Sequence, residues 1–138
     1  MSREIFQTSN NIKRIFYSSF ANKGITGAQA LILAFISGFG KDKDVFQRDV
    51  ESEFDIRRSS ATSILNGLEK HGYIRRESVA RDARLKKLAL TDKALAITEQ
   101  VVALVDDINI TLQRHISPDD LKILESTLKQ VKKNIEEK

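Results

Sequence analysis

Residues that interrupt helices are scarce in this chain, which has one proline and six glycines among its 138 residues. They separate segments whose apolar side chains recur every three or four positions, the spacing of one face of an α-helix. The chain is therefore predicted to be mainly helical, with short connections. With 41% hydrophobic and 30% charged residues it is long enough to bury a core, and we expect residues 1–138 to form a single domain.

The periodic segments and their capping residues give approximate bounds for each helix. Thr26 with Gln29, and Asp44 with Gln47, have the spacing of a capping box, and Ser117-Pro118-Asp119-Asp120 is typical of a helix start. Residues 37–43, which include Gly38 and Gly40, are predicted to form a loop. The predicted helices cover residues 4–22, 26–36, 44–54, 58–71 and 91–116, and a last helix begins at Pro118.

The third and fourth helices are joined by only three residues, which is the outline of a helix-turn-helix. After Gly72 the spacing of apolar residues changes, and residues 74–79 and 84–90 are predicted to form a β-hairpin around a turn at 80–83. The predicted fold is therefore mainly α with one small β-hairpin.

The fourth helix has an unusual polar face. Its apolar stripe is formed by Ala61, Ile64, Leu65 and Leu68, and the opposite side carries Ser59, Thr62, Ser63 and Asn66 with the same spacing. A solvated helix face is the ordinary explanation, but such faces favour Lys, Glu and Gln, which are better helix formers. Short hydrogen-bonding side chains suit base edges and phosphates in a DNA major groove. We therefore favour a DNA-reading role for this helix face over a merely solvated one.

Positive charge is concentrated in one part of the chain. The total is +4, but residues 57–87 hold nine basic and three acidic side chains, a net +6 that leaves −2 for the rest. In the hairpin turn, Asp82 is expected to pair with Arg84 and to orient its guanidinium for a narrow minor groove. Lys86 and Lys87 follow closely.

Several other functions are disfavoured by composition. There is no cysteine, which excludes disulfides, thiolate catalysis and thiol redox sensing, and two histidines offer little for a zinc site. No catalytic triad pattern, phosphate loop or metal-ligand spacing is evident, so we expect no enzyme activity, no metal and no cofactor. The longest apolar run is far too short to span a membrane, and the N-terminus does not resemble a signal peptide, so a cytoplasmic location is expected.

Two stretches of the sequence resemble those of a known family. Asp82-Ala83-Arg84 is followed by Leu90-Thr91-Asp92-Lys93, with Ala94 where glycine is usual, and Arg58–Thr62 leads through Leu68–Ile74 into the first strand. This pattern resembles the winged-helix transcription regulators of the multiple antibiotic resistance regulator (MarR) type. The resemblance implies a winged helix-turn-helix over residues 26–91, in which the hairpin is the wing, and dimerisation helices over residues 1–22 and 92–138.

A homodimer follows from this resemblance, and the apolar pattern independently favours one. The last helix has the alternating three- and four-residue spacing of a coiled-coil seam, and the first helix has an apolar stripe that needs a partner surface. Two reading helices about 34 Å apart would then face successive major grooves of a near-palindromic site. The expected dimerisation residues are Ile5, Ile12, Leu121, Leu124, Leu128, Val131 and Ile135.

The resemblance also implies that a small aromatic or phenolic effector releases the protein from DNA. Candidate pocket residues are Phe16, Tyr17, Phe20 and Phe35, each of which would serve equally well in the core. The expected function is thus that of a sequence-specific regulator of transcription, acting as a repressor on double-stranded DNA. A winged-helix module that binds proteins without DNA is the alternative. The expected DNA-binding residues are Arg57, Arg58, Ser59, Ser60, Thr62, Ser63 and Asn66 on the reading helix and Arg81, Asp82, Arg84, Lys86 and Lys87 in the wing.

Overall fold

The structure is a computed structural model that describes residues 1–39 and 41–138. Its elements are α1 (Ser2–Phe20), α2 (Gly27–Phe39), α3 (Gln47–Phe54), α4 (Arg58–Lys70), β1 (Ile74–Val79), β2 (Asp82–Leu90), α5 (Asp92–Gln113) and α6 (Pro118–Glu136). The predicted fold class, helices with one antiparallel hairpin, is confirmed. The chain divides into two compact units, Met1–Leu104 and Val105–Lys138, and the prediction of a single domain stays a prediction.

The predicted loop at residues 37–43 is wrong in its first three residues, because α2 continues to Phe39. Gly40, which belongs to the predicted loop, lies outside the described residues. The capping box at the start of α2 is confirmed: the Thr26 N–H donates to Gln29 Oε1 (3.0 Å), and the Gln29 N–H donates to Thr26 Oγ1 (3.1 Å). These reciprocal bonds satisfy two N–H groups that the first turn leaves unpaired.

The predicted capping box of Asp44 and Gln47 is wrong. Residues 44–46 are not helical, and the Val45 carbonyl accepts a hydrogen bond from the Leu88 N–H of β2 (2.7 Å). Helix α3 therefore begins only after Phe46, and the carboxylate of Asp49 accepts the Phe46 N–H (2.8 Å). The N-cap is thus two residues further along the chain than predicted, next to a tertiary contact with the hairpin.

Helix α4 is placed by its apolar stripe. Ala61, Leu65 and Leu68 are completely buried, so the polar stripe on the opposite side faces outward. The turn before α4 contains Asp55 with φ 50°, and Gly72 after it has φ 78°. Glycine adopts this left-handed conformation without strain, which explains its place just after the helix.

The hairpin is irregular at its tip. Pairing is regular from Ile74 opposite Leu90 to Ser78 opposite Lys86, but the next pair is Val79 with Asp82. Residues 83–85 are thus extra in β2 and form a bulge, and the connecting turn is Ala80-Arg81 rather than 80–83. Bulges bend and twist a strand, which redirects the tip of the hairpin.

Apolar residues of the first unit form the core, which includes Phe20, Leu33, Val50, Leu65, Ile74 and Val101. In the second unit, α6 begins as predicted, with the Asp120 N–H donating to Ser117 Oγ (3.1 Å). Helix α5 ends at Gln113, three residues earlier than predicted. None of the described helices combines the length and apolar character needed to cross a bilayer.

Candidate nucleic-acid interface

A groove of about 460 Å³ separates the reading helix α4 from the hairpin, with the start of α3 as its third wall. It brings Arg58 and Thr62 of α4 to the same surface as Arg84 and Lys86 of β2. These four residues were predicted from two separate segments of the sequence. The full lining is Phe46, Gln47, Arg48, Glu51, Arg58, Thr62, Arg76, Arg84, Leu85, Lys86 and Leu88.

The polar face of α4 is accessible over most of its length. Ser59, Ser63 and Asn66 are exposed, as is Ser60 near the start of the helix. Thr62 is half-buried, and its hydroxyl accepts a hydrogen bond from Gln47 Nε2 (2.8 Å). The Thr62 side chain is therefore held in place from α3.

Gln47 was missed as an interface residue because its spacing from Asp44 gave it a capping role. Its amide also donates to the Arg58 carbonyl (3.4 Å), so it contacts the first turn of α4 at two points. Arg48, its neighbour in the groove lining, lies outside the basic window of residues 57–87 and was missed for that reason. Both residues lie in the first turn of α3, and the start of this helix could be located only with the structure.

The basic side chains fall into two groups according to their partners. Arg57, Arg58 and Arg81 have no carboxylate within ion-pair distance in the described part of the chain, so their charge is available to a phosphate. Arg76 instead pairs with Glu69 (2.9 Å) and is largely covered. The local charge of +6 therefore overstates the number of cations that are open to a ligand.

Lys86 and Lys87 lie on opposite faces of β2. Lys86 lines the groove beside α4, whereas Lys87 lies between Asp44 (3.9 Å) and Glu77 (3.8 Å) and lines a different cleft. Successive side chains of a strand point to opposite sides, so the alternation alone could have separated them. Of the predicted wing residues, Arg84 and Lys86 line the groove beside α4, whereas Arg81, Asp82 and Lys87 do not.

The predicted pair of Asp82 and Arg84 is present, but Asp82 acts first on the backbone. Its Oδ1 accepts the Arg84 backbone N–H at 2.9 Å, while the Arg84 Nε lies 3.5 Å away. The Arg84 side chain is 93% exposed. Asp82 thus fixes the conformation of the bulge and leaves the guanidinium extended into solvent.

The predicted effector residues do not line the groove between α4 and the hairpin. Phe16 and Phe20 are buried with ring centroids 5.2 Å apart, and Phe35 packs edge-on against Phe54 at 5.8 Å. Tyr17 is 45% exposed and lies over the start of α2. Phe16 and Phe20 are core residues, and the assignment of a pocket to these four stays a prediction. Among the described residues, no group of three or more His, Asp or Glu could hold a metal ion.

Comparison with known proteins agrees with this arrangement of a reading helix beside a hairpin. A sequence model described as MarR family matches residues 23–85, which include α2, α3, α4 and β1. The crystal structure of the transcription regulator MarR from Oenococcus oeni PSU-1 is 32% identical in sequence, over 96% of this chain and 98% of that chain, with a TM-score of 0.85. The fold is therefore that of a winged-helix regulator, and the chain belongs to the MarR family.

More distant structures show the same fold. The MepR–DNA complex of S. aureus is 19% identical, over 97% of this chain and 95% of that chain, with a TM-score of 0.89. A MarR family transcriptional regulator from Listeria monocytogenes, complexed with 26mer DNA, is 21% identical, over 98% and 88% of the two chains, with a TM-score of 0.85. Both of those proteins were crystallised with DNA.

Proposed function

We propose that this chain is a sequence-specific regulator of transcription that binds double-stranded DNA and acts as a repressor. The observation that carries the proposal is the groove that brings Arg58 and Thr62 of α4 to the same surface as Arg84 and Lys86 of the wing. The DNA complexes of the S. aureus and Listeria proteins, which have the same fold, support it.

Helix α4 and the wing have different roles in this proposal. Ser59, Ser63 and Asn66 are short, exposed donors and acceptors that can reach base edges in a major groove. Arg57 and Arg58 lie at the start of α4, where unpaired backbone N–H groups add to their attraction for phosphate. The wing then places Arg81 and Arg84 against the adjacent minor groove.

We propose further that the regulator is a homodimer on a near-palindromic operator. Leu124 and Leu128 of α6 are 47% and 44% exposed, and Ile135 is exposed as well. They continue the seam that begins at the half-buried Leu121, and Ile5 of α1 is also exposed. A second copy would cover these apolar faces and present a second reading helix.

Release by a small aromatic or phenolic anion completes the proposal and rests on family membership. Selection of bound fragments from random duplex DNA, followed by a screen for compounds that release them, tests both parts. We expect an inverted repeat to be enriched. Recovery of duplexes with no common sequence would contradict specific reading, whereas an enriched repeat that no compound releases would contradict only the effector.

Charge counting predicts that loss of a carboxylate from the wing strengthens DNA binding, but we expect the opposite for Asp82. Asp82→Ala removes a negative charge from a DNA-binding surface, yet we expect it to weaken binding by about 1 to 2 kcal/mol, roughly 5- to 30-fold, because the bulge loses the acceptor that holds the Arg84 N–H. Asp82→Asn keeps a side-chain acceptor and should retain most of the affinity. Fluorescence anisotropy with the selected duplex measures both.

Asp42→Ala is the matched control for Asp82→Ala, since it removes the same charge from an exposed residue outside the wing and α4. Tighter binding by Asp82→Ala than by the wild type would show that the carboxylate only repels DNA, and would contradict a positioning role.

A further inference from the structure

Phe46 lies between two arginines from different parts of the fold. The guanidinium carbon of Arg48, in the first turn of α3, is 5.0 Å from the centre of the Phe46 ring, and that of Arg81, in the hairpin turn, is 5.4 Å away. Both distances are within the range of cation–π attraction. The ring thus connects the helix-turn-helix to the tip of the wing.

The position of Phe46 makes this contact informative. Phe46 is the N-cap of α3, a position that normally favours Ser, Thr, Asp or Asn, because their side chains accept a backbone N–H. Phenylalanine cannot do so. It is only 6% exposed, although two charged groups lie against it. Phenylalanine at this position therefore has a role other than helix capping.

Other contacts hold the hairpin below its tip. The Leu88 N–H donates to the Val45 carbonyl, and Lys87 lies 3.9 Å from Asp44, so the base of the wing is tied to the segment before α3. Beyond the bulge at residues 83–85, the Arg81 contact with Phe46 links the tip to the start of α3. A cleft of about 420 Å³ lies between the start of α3 and the hairpin turn, and it is lined in part by Phe46, Arg48 and Arg81.

We propose that Phe46 is a positioning residue for DNA binding, whose ring fixes the wing-tip Arg81 relative to Arg48 of α3. This inference rests on the proposed function. The two guanidiniums share one ring, so their spacing is set before DNA arrives, and less side-chain freedom is lost on binding. Phe46 itself has no need to touch DNA.

A double-mutant cycle tests the coupling between the ring and the wing tip. Phe46→Leu keeps an apolar side chain in the core and removes the ring, and Arg81→Ala removes the cation. If the ring positions Arg81, the loss of DNA affinity caused by Arg81→Ala should be roughly two- to fivefold smaller in the Phe46→Leu background than in the wild type. Arg84→Ala is the matched control, because the Arg84 backbone is held by Asp82 and not by Phe46, and its effect should be the same in both backgrounds.

Equal effects of Arg81→Ala in both backgrounds would overturn the proposal and leave Phe46 as a core residue only. A smaller effect of Arg84→Ala in the Phe46→Leu background would also overturn it, since that result indicates general damage to the wing. Phe46→Tyr retains an aromatic ring and should restore both affinity and coupling.

A measurement without DNA keeps this inference separate from the proposed function. In the free protein, NMR should show the Cδ protons of Arg48 and Arg81 displaced upfield by the ring current of Phe46, and Phe46→Tyr should preserve the displacement. Ordinary chemical shifts for the Arg81 protons of the wild type would overturn the proposed contact of Arg81 with the Phe46 ring, even if DNA binds tightly and Phe46→Leu fails to fold. Displaced chemical shifts in a protein that binds no duplex would support the contact of Arg81 with the Phe46 ring and contradict the proposed function.

Discussion

The double substitution Leu124→Glu with Leu128→Glu is expected to convert the protein to a monomer and to weaken its binding to a two-half-site duplex by at least about 100-fold. Both leucines are about half exposed in the single chain, so their replacement should leave each protomer folded. Four carboxylates facing one another across the seam would oppose association. Without the dimer each half-site must be bound independently.

Light scattering coupled to size exclusion measures the change in mass, and anisotropy measures the affinity. The matched control is Ser126→Glu with Gln130→Glu, which adds the same charge to exposed positions on the opposite face of α6. The control should remain dimeric. A seam variant that stays dimeric would contradict the assignment of this face to the dimer interface.

Reversal of the wing charge is expected to have a comparably large effect. Arg81→Glu with Arg84→Glu reverses four charges in a dimer, and repulsion from the phosphates should lower affinity by at least about 100-fold at moderate salt. The slope of log affinity against log salt should become shallower by about 3 to 4, because each phosphate that is no longer neutralised accounts for roughly 0.9 of that slope. Both side chains are exposed, so folding should be unaffected.

This experiment also separates DNA binding from the alternative of a protein-interaction module. Lys129→Glu with Lys138→Glu makes the same charge change on exposed residues of the second unit and serves as the control. Far-UV circular dichroism checks that each variant is folded. If wing reversal leaves duplex binding intact, the wing has no part in DNA binding and the docking alternative gains support.

Local features of the structure were predicted best from the sequence. The caps at Thr26 and Ser117, the buried stripe of α4 and the glycine after it each depend on residues within a turn or two of one another. Their geometry is set by backbone hydrogen bonding and by the 3.6-residue period, which a sequence displays directly.

Features that depend on contacts between distant segments were predicted less well. The start of α3 is set by the hydrogen bond between Leu88 and Val45, and the hairpin turn is shortened by the bulge at residues 83–85. The contact of Arg81 with Phe46 joins residues 35 positions apart in two different elements. No short-range pattern displays such a pairing, although strand alternation alone could have placed Lys87 on the far side of β2.

We propose above that α4 and the wing form an electrostatic surface for duplex DNA. The most direct measurement is the affinity of the wild-type protein for its selected duplex at several salt concentrations. If Arg57, Arg58, Arg81 and Arg84 of both protomers contact the DNA, the slope of log affinity against log salt should lie between about −4 and −7. A slope between zero and about −1 would contradict the claim, because a surface that binds duplex DNA through these arginines must release counterions.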